Sequence, residues 1–458
     1  MSSSMFEIKP ENVNSLEKRG AYTVCVVSCN CIGILQTCLF AEAGFKILCA
    51  DTNQALVNNL AKGKISFLKN EAEPILRKHL RSKSIRVTND IKVAVTQSNI
   101  IVIAAEGQVD EKGKIDYSNL ENACRLVGLG LQKDALVIVT GIVGYGVTRN
   151  LIKETVERVS GFKSGVNFGL AYSPQFFHEQ TMEETANCNR ILAGIDKKSC
   201  CAASTVLETI AKKGVVKEES VETVEAAALF KVMYDVTKMG LANETSFFCE
   251  KASIDYVKVQ ELVEAINGDH FLSPEIMCDK DNLEVQMLLN EADDLNTKLR
   301  IGPIAQEVNE ETTRHAVNLI RDALKAGGKP LRTAQIALLG ISQKTHFVET
   351  EKDLAKALAK TLEKNGAKLR FYDPYITAND QSDFKYPLKK SLTETVEGAD
   401  CIVVLANHEQ FRRLNLRKLK VIAKKNPAIV DFQNVLEPKR VEDEGFIYRG
   451  LGRGVWKK

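Results

Sequence analysis

Short, wholly apolar runs alternate along this chain with longer stretches in which apolar positions recur every three or four residues. Residues 22–27 (Tyr-Thr-Val-Cys-Val-Val) read as a strand buried on both faces, and 32–42 as the helix that follows. Further strands are expected at 46–50, 100–104 and 136–140, with helical stretches between them. Strands alternating with helices form parallel sheets with right-handed crossovers. From about 221 to 265 apolar residues recur with a period of about 3.6, and neither Gly-Gly nor Pro interrupts them, so one long helix is expected. Another, 304–326, follows the loop around Pro274. Gly327-Gly328-Lys329-Pro330 is a break. A second α/β pattern then begins: strand 335–340, helix 353–365, and strands 368–372, 401–405 and 428–431.

Composition narrows the function classes. The chain has 458 residues, and at about 150 per domain it holds roughly three domains. With 62 Lys+Arg against 59 Asp+Glu, the net charge of +3 argues against nucleic acid or an anionic membrane as the main partner. Hydrophobic residues at 44% and charged residues at 26% exclude extensive disorder. No apolar run of about 18 residues is present, and residues 1–19 are polar, without the core of a signal peptide; a flexible tail is expected there. The 12 cysteines lie mostly in apolar runs, which suits a reduced, cytoplasmic protein. Cys25, Cys29, Cys31 and Cys38 cluster, but they contain no Cys-x-x-Cys pair, and no metal site is assigned.

Several short motifs fall in a telling order: Glu73-Pro74-x-Leu76, Lys114-Ile115-Asp116-Tyr117-Ser118, Tyr172-Ser173-Pro174-Gln175-Phe176-Phe177, Ala242-Asn243-Glu244, Val308-Asn309, Leu339-Gly340-Ile341-Ser342-Gln343-Lys344 and Tyr372-Asp373-Pro374. Their order and spacing resemble the UDP-glucose/GDP-mannose (nucleotide-sugar 6-) dehydrogenase family from about residue 20 to 452. The resemblance implies two Rossmann-like parallel-sheet domains joined by a long central helical dimerisation region. The corresponding boundaries are a tail at 1–19, an NAD-binding-type domain at 20–215, a helical dimerisation domain at 216–328 and a UDP-binding-type domain at 329–458. It implies oxidation of a sugar C6 alcohol to an acid by NAD through a cysteine thioester, with lysine and asparagine stabilising the oxyanion.

The chain departs from that pattern at named positions. Counting back from Asn243-Glu244 places Ala228 and Val232 where the family has its lysine and asparagine; Lys231 lies on a neighbouring face. Gln175 replaces a glutamate, and Ile142 a threonine. Aligning Lys280-Asp281 puts Met277 at the nucleophile, with Cys278 displaced by one residue. Lys344 matches a substrate-contacting lysine, while Glu351 and Gln433 replace arginines. In the cofactor loop, Ser28-Cys29-Asn30-Cys31-Ile32-Gly33, only the third glycine of Gly-x-Gly-x-x-Gly survives. Ser28 is expected to tolerate the turn and Asn30 to adopt a left-handed conformation. Asp51, about 20 residues past the turn, is the candidate ribose-binding acid.

The leading expectation is a catalytically impaired member of the family, a pseudoenzyme that binds NAD weakly or not at all. It would act by binding or assembly, as a homodimer or with an active paralogue, with a nucleotide sugar as ligand and no nucleic-acid or membrane partner. The rival is an active UDP-sugar dehydrogenase of polysaccharide precursor synthesis. It would use a shifted Cys278, supported by Lys280 and Asp281. A third is an unrelated small-molecule or metal role built on the N-terminal cysteines.

Overall fold

The apolar runs become the strands of two sheets in a computed structural model that describes residues 5–65, 72–110, 114–176, 182–267, 271–277, 283–341, 352–376 and 386–457. The first sheet comprises β1 (Thr23–Val27), β2 (Lys46–Ala50), β3 (Ile85–Thr88), β4 (Ile100–Ile103), β5 (Leu136–Val139), β6 (Gly169–Tyr172), β7 (Arg190–Gly194) and β8 (Val215–Glu218). Their spatial order is β3-β2-β1-β4-β5-β6-β7-β8, the doubly wound Rossmann arrangement with two further strands. The strands expected from sequence all pair in parallel, and the one antiparallel pairing of this sheet joins β6 to β7. β4 and β5 are buried along their whole length, because helices cover both faces.

The second sheet is parallel throughout, in the order β10-β9-β11-β12-β13. Its strands are β9 (Gln335–Leu339), β10 (Lys368–Tyr372), β11 (Cys401–Val404), β12 (Ala428–Asp431) and β13 (Ile447–Gly450). The helices that matter below are α1 (Cys31–Glu42), α2 (Ser118–Gly130), α3 (Val221–Ala252), α4 (Tyr256–Asn267), α5 (Leu283–Asp294), α6 (Ile301–Ala326) and α7 (Lys352–Lys364).

The single helix expected from 221 to 265 is two. The chain leaves α3 through Ser253, whose φ is +58°. Asp255 then accepts the Val257 N–H at 3.2 Å, and both its oxygens take Arg453 Nη1 at 2.8 Å. The break is a side-chain cap plus an ion pair, not a glycine or proline.

The described part of the expected tail is not free. Met5, Ile8 and Val13 are buried, and the Met5 N–H donates to the Asp134 carbonyl at 3.1 Å. These apolar contacts and the backbone bond dock it.

The chain divides into two compact units, Met1–Met233 with Asp281–Lys298, and Tyr234–Lys280 with Leu299–Lys458. The boundary falls inside α3, so the helical middle expected over 216–328 is shared between them. Among the described residues no helix is long and apolar enough to cross a membrane.

Candidate functional site

The strand order of the first sheet reverses between β1 and β4, and the carboxyl ends of such strands open a crevice for ligands. The loop leaving β1 is built around Ser28, at φ +74°, where a non-glycine residue costs about 1–2 kcal/mol. Ser28 is thus the left-handed residue. Asn30 is not: its φ of −67° and ψ of −175° are extended, which corrects the conformation expected for it. It instead serves as the N-cap of α1. Its Oδ1 accepts the Gly33 N–H at 2.9 Å, and its Nδ2 donates to the Ala104 carbonyl at 2.9 Å. Asn30 therefore ties β1 to β4 across the crevice and satisfies a helix-terminal amide that would otherwise face a phosphate. Gly33 is required by packing, since a Cβ there would stand 1.9 Å from the Ser28 carbonyl oxygen.

Asp51 ends β2. Its Oδ2 accepts the Cys29 N–H at 2.7 Å and its Oδ1 the Asn53 N–H at 2.8 Å. The carboxylate is fixed but keeps lone pairs for hydroxyl donors. A cavity of about 200 Å³ opens beside it, lined by Ser28, Asp51 and Thr52, with Ile91 and Leu126 as apolar walls and Asn122 of α2 at its edge. These residues fit the adenosine end of a dinucleotide: an acid for the ribose, apolar walls for the base. The pyrophosphate end fits less well, because the Cys29 and Gly33 amides are already bonded. Beneath the loop the Cys29 and Cys49 sulfurs lie 2.8 Å apart, and that contact together with burial raises the Cys29 thiol far above its ordinary range.

Two carboxyls flank the crevice, Glu106 half-buried and Glu225 buried. Glu106 follows β4, where nothing in the sequence singled it out. Burial, and then the charge of Glu284, push its pKa to about 7, although the Ile142 N–H at 3.4 Å favours the charged form. A group poised near neutrality beside the cofactor loop is suited to giving or taking a proton. Glu225 of α3 accepts the Gly146 N–H at 2.6 Å and the Thr148 N–H at 2.8 Å, and burial still lifts it to about 6. α5 closes this region: Met287 Cε lies 3.1 Å from where a Cβ on Gly107 would stand, and Glu291 Oε1 3.2 Å from the same point on Gly144.

A pH dependence follows. The folded pKa of Glu106, about 7, lies above its ordinary value of 4.5, so the folded state holds the extra proton between them. Its contribution to stability is full below pH 4.5 and is lost as pH rises through 7. In Glu106→Gln this part of the slope should vanish. The melting temperature of the variant should therefore gain on the parent between pH 5 and 8, by about 2–4 °C for each kcal/mol relieved. Parallel melting curves would show that Glu106 is not buried in this way.

The other candidate residues are placed as follows. Gln175 is buried; its Oε1 accepts from Gln36 Nε2 at 3.5 Å and its Nε2 donates to the Phe176 carbonyl at 2.9 Å. Ala228 and Val232 are buried apolar residues of α3 in the first unit. In the second unit the Gln433 N–H donates to Asp431 Oδ1 at 3.0 Å, and Met277 N–H to Thr312 Oγ1 at 2.8 Å. Cys278, Lys280, Asp281, Lys344 and Glu351 lie outside the described residues.

Comparison with known proteins agrees with the fold. Residues 22–232 match the NAD binding domain of the UDP-glucose/GDP-mannose dehydrogenase family, and residues 337–438 its UDP binding domain. A relative from Pyrococcus horikoshii, UDP-N-acetyl-D-mannosamine dehydrogenase, is 25% identical over 435 residues, covering 94% of this chain and 99% of its own. The UDP-glucose 6-dehydrogenase TuaD of Bacillus subtilis is 24% identical over 440 residues, covering 94% of this chain and 93% of its own. Among solved structures, the UDP-D-ManNAc dehydrogenase of Pyrococcus horikoshii superposes with a TM-score of 0.82 at 23% identity, covering 94% of this chain and 100% of the other. The UDP-glucose dehydrogenase of Pyrobaculum islandicum gives 0.80 at 19% identity, covering 94% and 98%.

Proposed function

This chain belongs to the UDP-glucose/GDP-mannose dehydrogenase family, and from that premise we propose that it is an NAD-linked oxidoreductase acting on a UDP-linked hexose or N-acetylhexosamine. The observation that carries the reading is the cavity at the strand-order reversal, with Asp51 fixed at its edge. Bound there, NAD supplies the hydride acceptor. Asp51 holds the ribose hydroxyls, Ile91 and Leu126 flank the base, and Glu106 exchanges a proton beside the loop. Cys278 is the nucleophilic thiol, with Lys280 and Asp281 beside it in sequence, and Lys344 contacts the nucleotide sugar. On this reading the protein works in the cytoplasm, in the synthesis of glycan precursors.

A specific observation favours a second reading, binding without turnover. Ala228 and Val232 carry no polar side-chain atom where the resemblance requires two oxyanion donors, and the loss of one such donor typically costs about 3 kcal/mol of barrier. The assay mixes purified protein with NAD and either UDP-N-acetylmannosamine or UDP-glucose. NADH formation that disappears in Cys278→Ala supports turnover. Saturable NAD binding without NADH supports the second reading, and no binding of either ligand sinks both.

The chain should also self-associate. On α3, Phe230, Tyr234, Leu241 and Phe248 are 55%, 60%, 49% and 67% exposed. They lie four, seven and seven residues apart, the spacing of an apolar seam between helices. Light scattering should show a homodimer at micromolar concentration, and Leu241→Glu with Phe248→Glu should yield monomers. A monomeric parent would leave pairing with a related, intact chain as the remaining use of this face.

A further inference from the structure

The second unit contains a cavity of about 560 Å³ with Met277 at its edge. It lies between α6 and α7, and its walls carry four cations, Arg314, Arg321, Lys360 and Lys364, against one carboxylate, Glu310. A volume of this size suits a small molecule.

The cations are arranged by helix periodicity. Arg314 and Arg321 are seven residues apart on α6, and Lys360 and Lys364 four apart on α7, so each pair shares a face. Arg321 Nη1 is steadied by the neutral Asn318 Oδ1 at 2.6 Å. Arg314 Nη2 meets Glu311 Oε1 at 2.6 Å. Among the described residues neither Lys360 nor Lys364 has a carboxylate partner. With Glu310 in the wall and Arg314 paired to Glu311, the four cations still leave two positive charges in excess on one small volume. A solvated helix surface has no reason to converge its cations on a cavity from two helices, because the arrangement is self-repelling.

Met277 at the edge of the cavity precedes Cys278 in sequence, but the cationic wall on α7 lies away from the strand ends where open α/β sheets bind ligands. β9 and β10 are parallel, so α7, which connects them, runs antiparallel to both. Its second half, with Lys360 and Lys364, stands at the amino ends of the strands. Gly340, Asp373 and Asp431 stand at the carboxyl ends, where open α/β sheets bind ligands.

We infer that this cavity is a second ligand site for a small, multiply charged phosphate compound, held by Arg321, Lys360 and Lys364. Phosphate is favoured over a monocarboxylate because three cations match a compact polyanion, and lysine serves phosphate as a point charge.

The test uses the full-length protein. Pyridoxal 5′-phosphate followed by borohydride marks lysines beside phosphate sites, and peptide mapping should find Lys360 or Lys364 labelled well above the other lysines. Inorganic pyrophosphate should suppress that label at least tenfold if the free anion is bound; suppression only by phosphate esters would assign the site to an organic phosphate. Calorimetric titration with pyrophosphate at low salt should show at least tenfold weaker binding for Lys360→Glu with Lys364→Glu, and separately for Arg321→Gln on the opposite helix. All three side chains are exposed, so circular dichroism of the variants should match the parent. Label spread evenly over the lysines, or unchanged pyrophosphate affinity in both variants, would overturn the inference.

Discussion

Gly33→Ala should destabilise the first unit by about 3 kcal/mol and abolish NAD binding, because added bulk in a packed junction is poorly tolerated. The new Cβ would meet the Ser28 carbonyl oxygen at 1.9 Å and the carbonyl carbon at 3.0 Å. Both are backbone atoms, so no side chain can turn aside. The loop would have to move away from α1, pulling the Cys29 N–H from Asp51 and Asn30 from its two partners. A loss of this size corresponds to roughly 6–12 °C in melting temperature for a unit of such length. A variant melting within about 2 °C of the parent would show that the β1–α1 junction has room that the geometry denies.

Glu225→Leu should rank next. The carboxylate is the acceptor for the Gly146 and Thr148 N–H groups, and the residue is fully buried. Leucine fills similar space but leaves both donors stranded, at about 1–3 kcal/mol each. Glu225→Gln keeps one acceptor oxygen, so its loss should be roughly half as large. Urea unfolding measures all three chains. Equal stability of the Gln and Leu variants would mean that water or a backbone shift satisfies the two amides.

Burial alone does not decide which strands the sequence reveals: the half-exposed edge strand β10 is read over 368–372, while β6, buried throughout, is not. β1, β2, β4, β5, β9, β11 and β12 consist mostly of Val, Ile, Leu, Cys and Ala, with polar residues only at strand ends, and read directly. β3 and β8 are the two edges of the first sheet, and β8, Val215-Val216-Lys217-Glu218, is mostly exposed, so no apolar run announces it. Gly33 and Asp51 were legible because a tight turn and a strand end fix their distance along the chain. Glu106 was not. Its character comes from burial by the folded chain and then from the charge of Glu284, which is far away in sequence, with the Ile142 N–H acting against both. The inverted backbone roles of Ser28 and Asn30 were equally hidden, since residue type permits either to be the left-handed one.

The return of α5 to the first unit affects how the protein is made. A ribosome that has released residues up to Met233 has supplied all eight strands of the first sheet, yet not the helix that brings Met287 to Gly107 and Glu291 to Gly144. The segment Tyr234–Lys280, which belongs to the other unit, must emerge before that lid arrives. During translation the first unit therefore waits, sheet formed and one flank bare, in the state that chaperones hold and aggregates recruit. A fragment ending at Met233 would remain in that state permanently, and co-expression with a peptide spanning residues 281–298 is the natural way to rescue it.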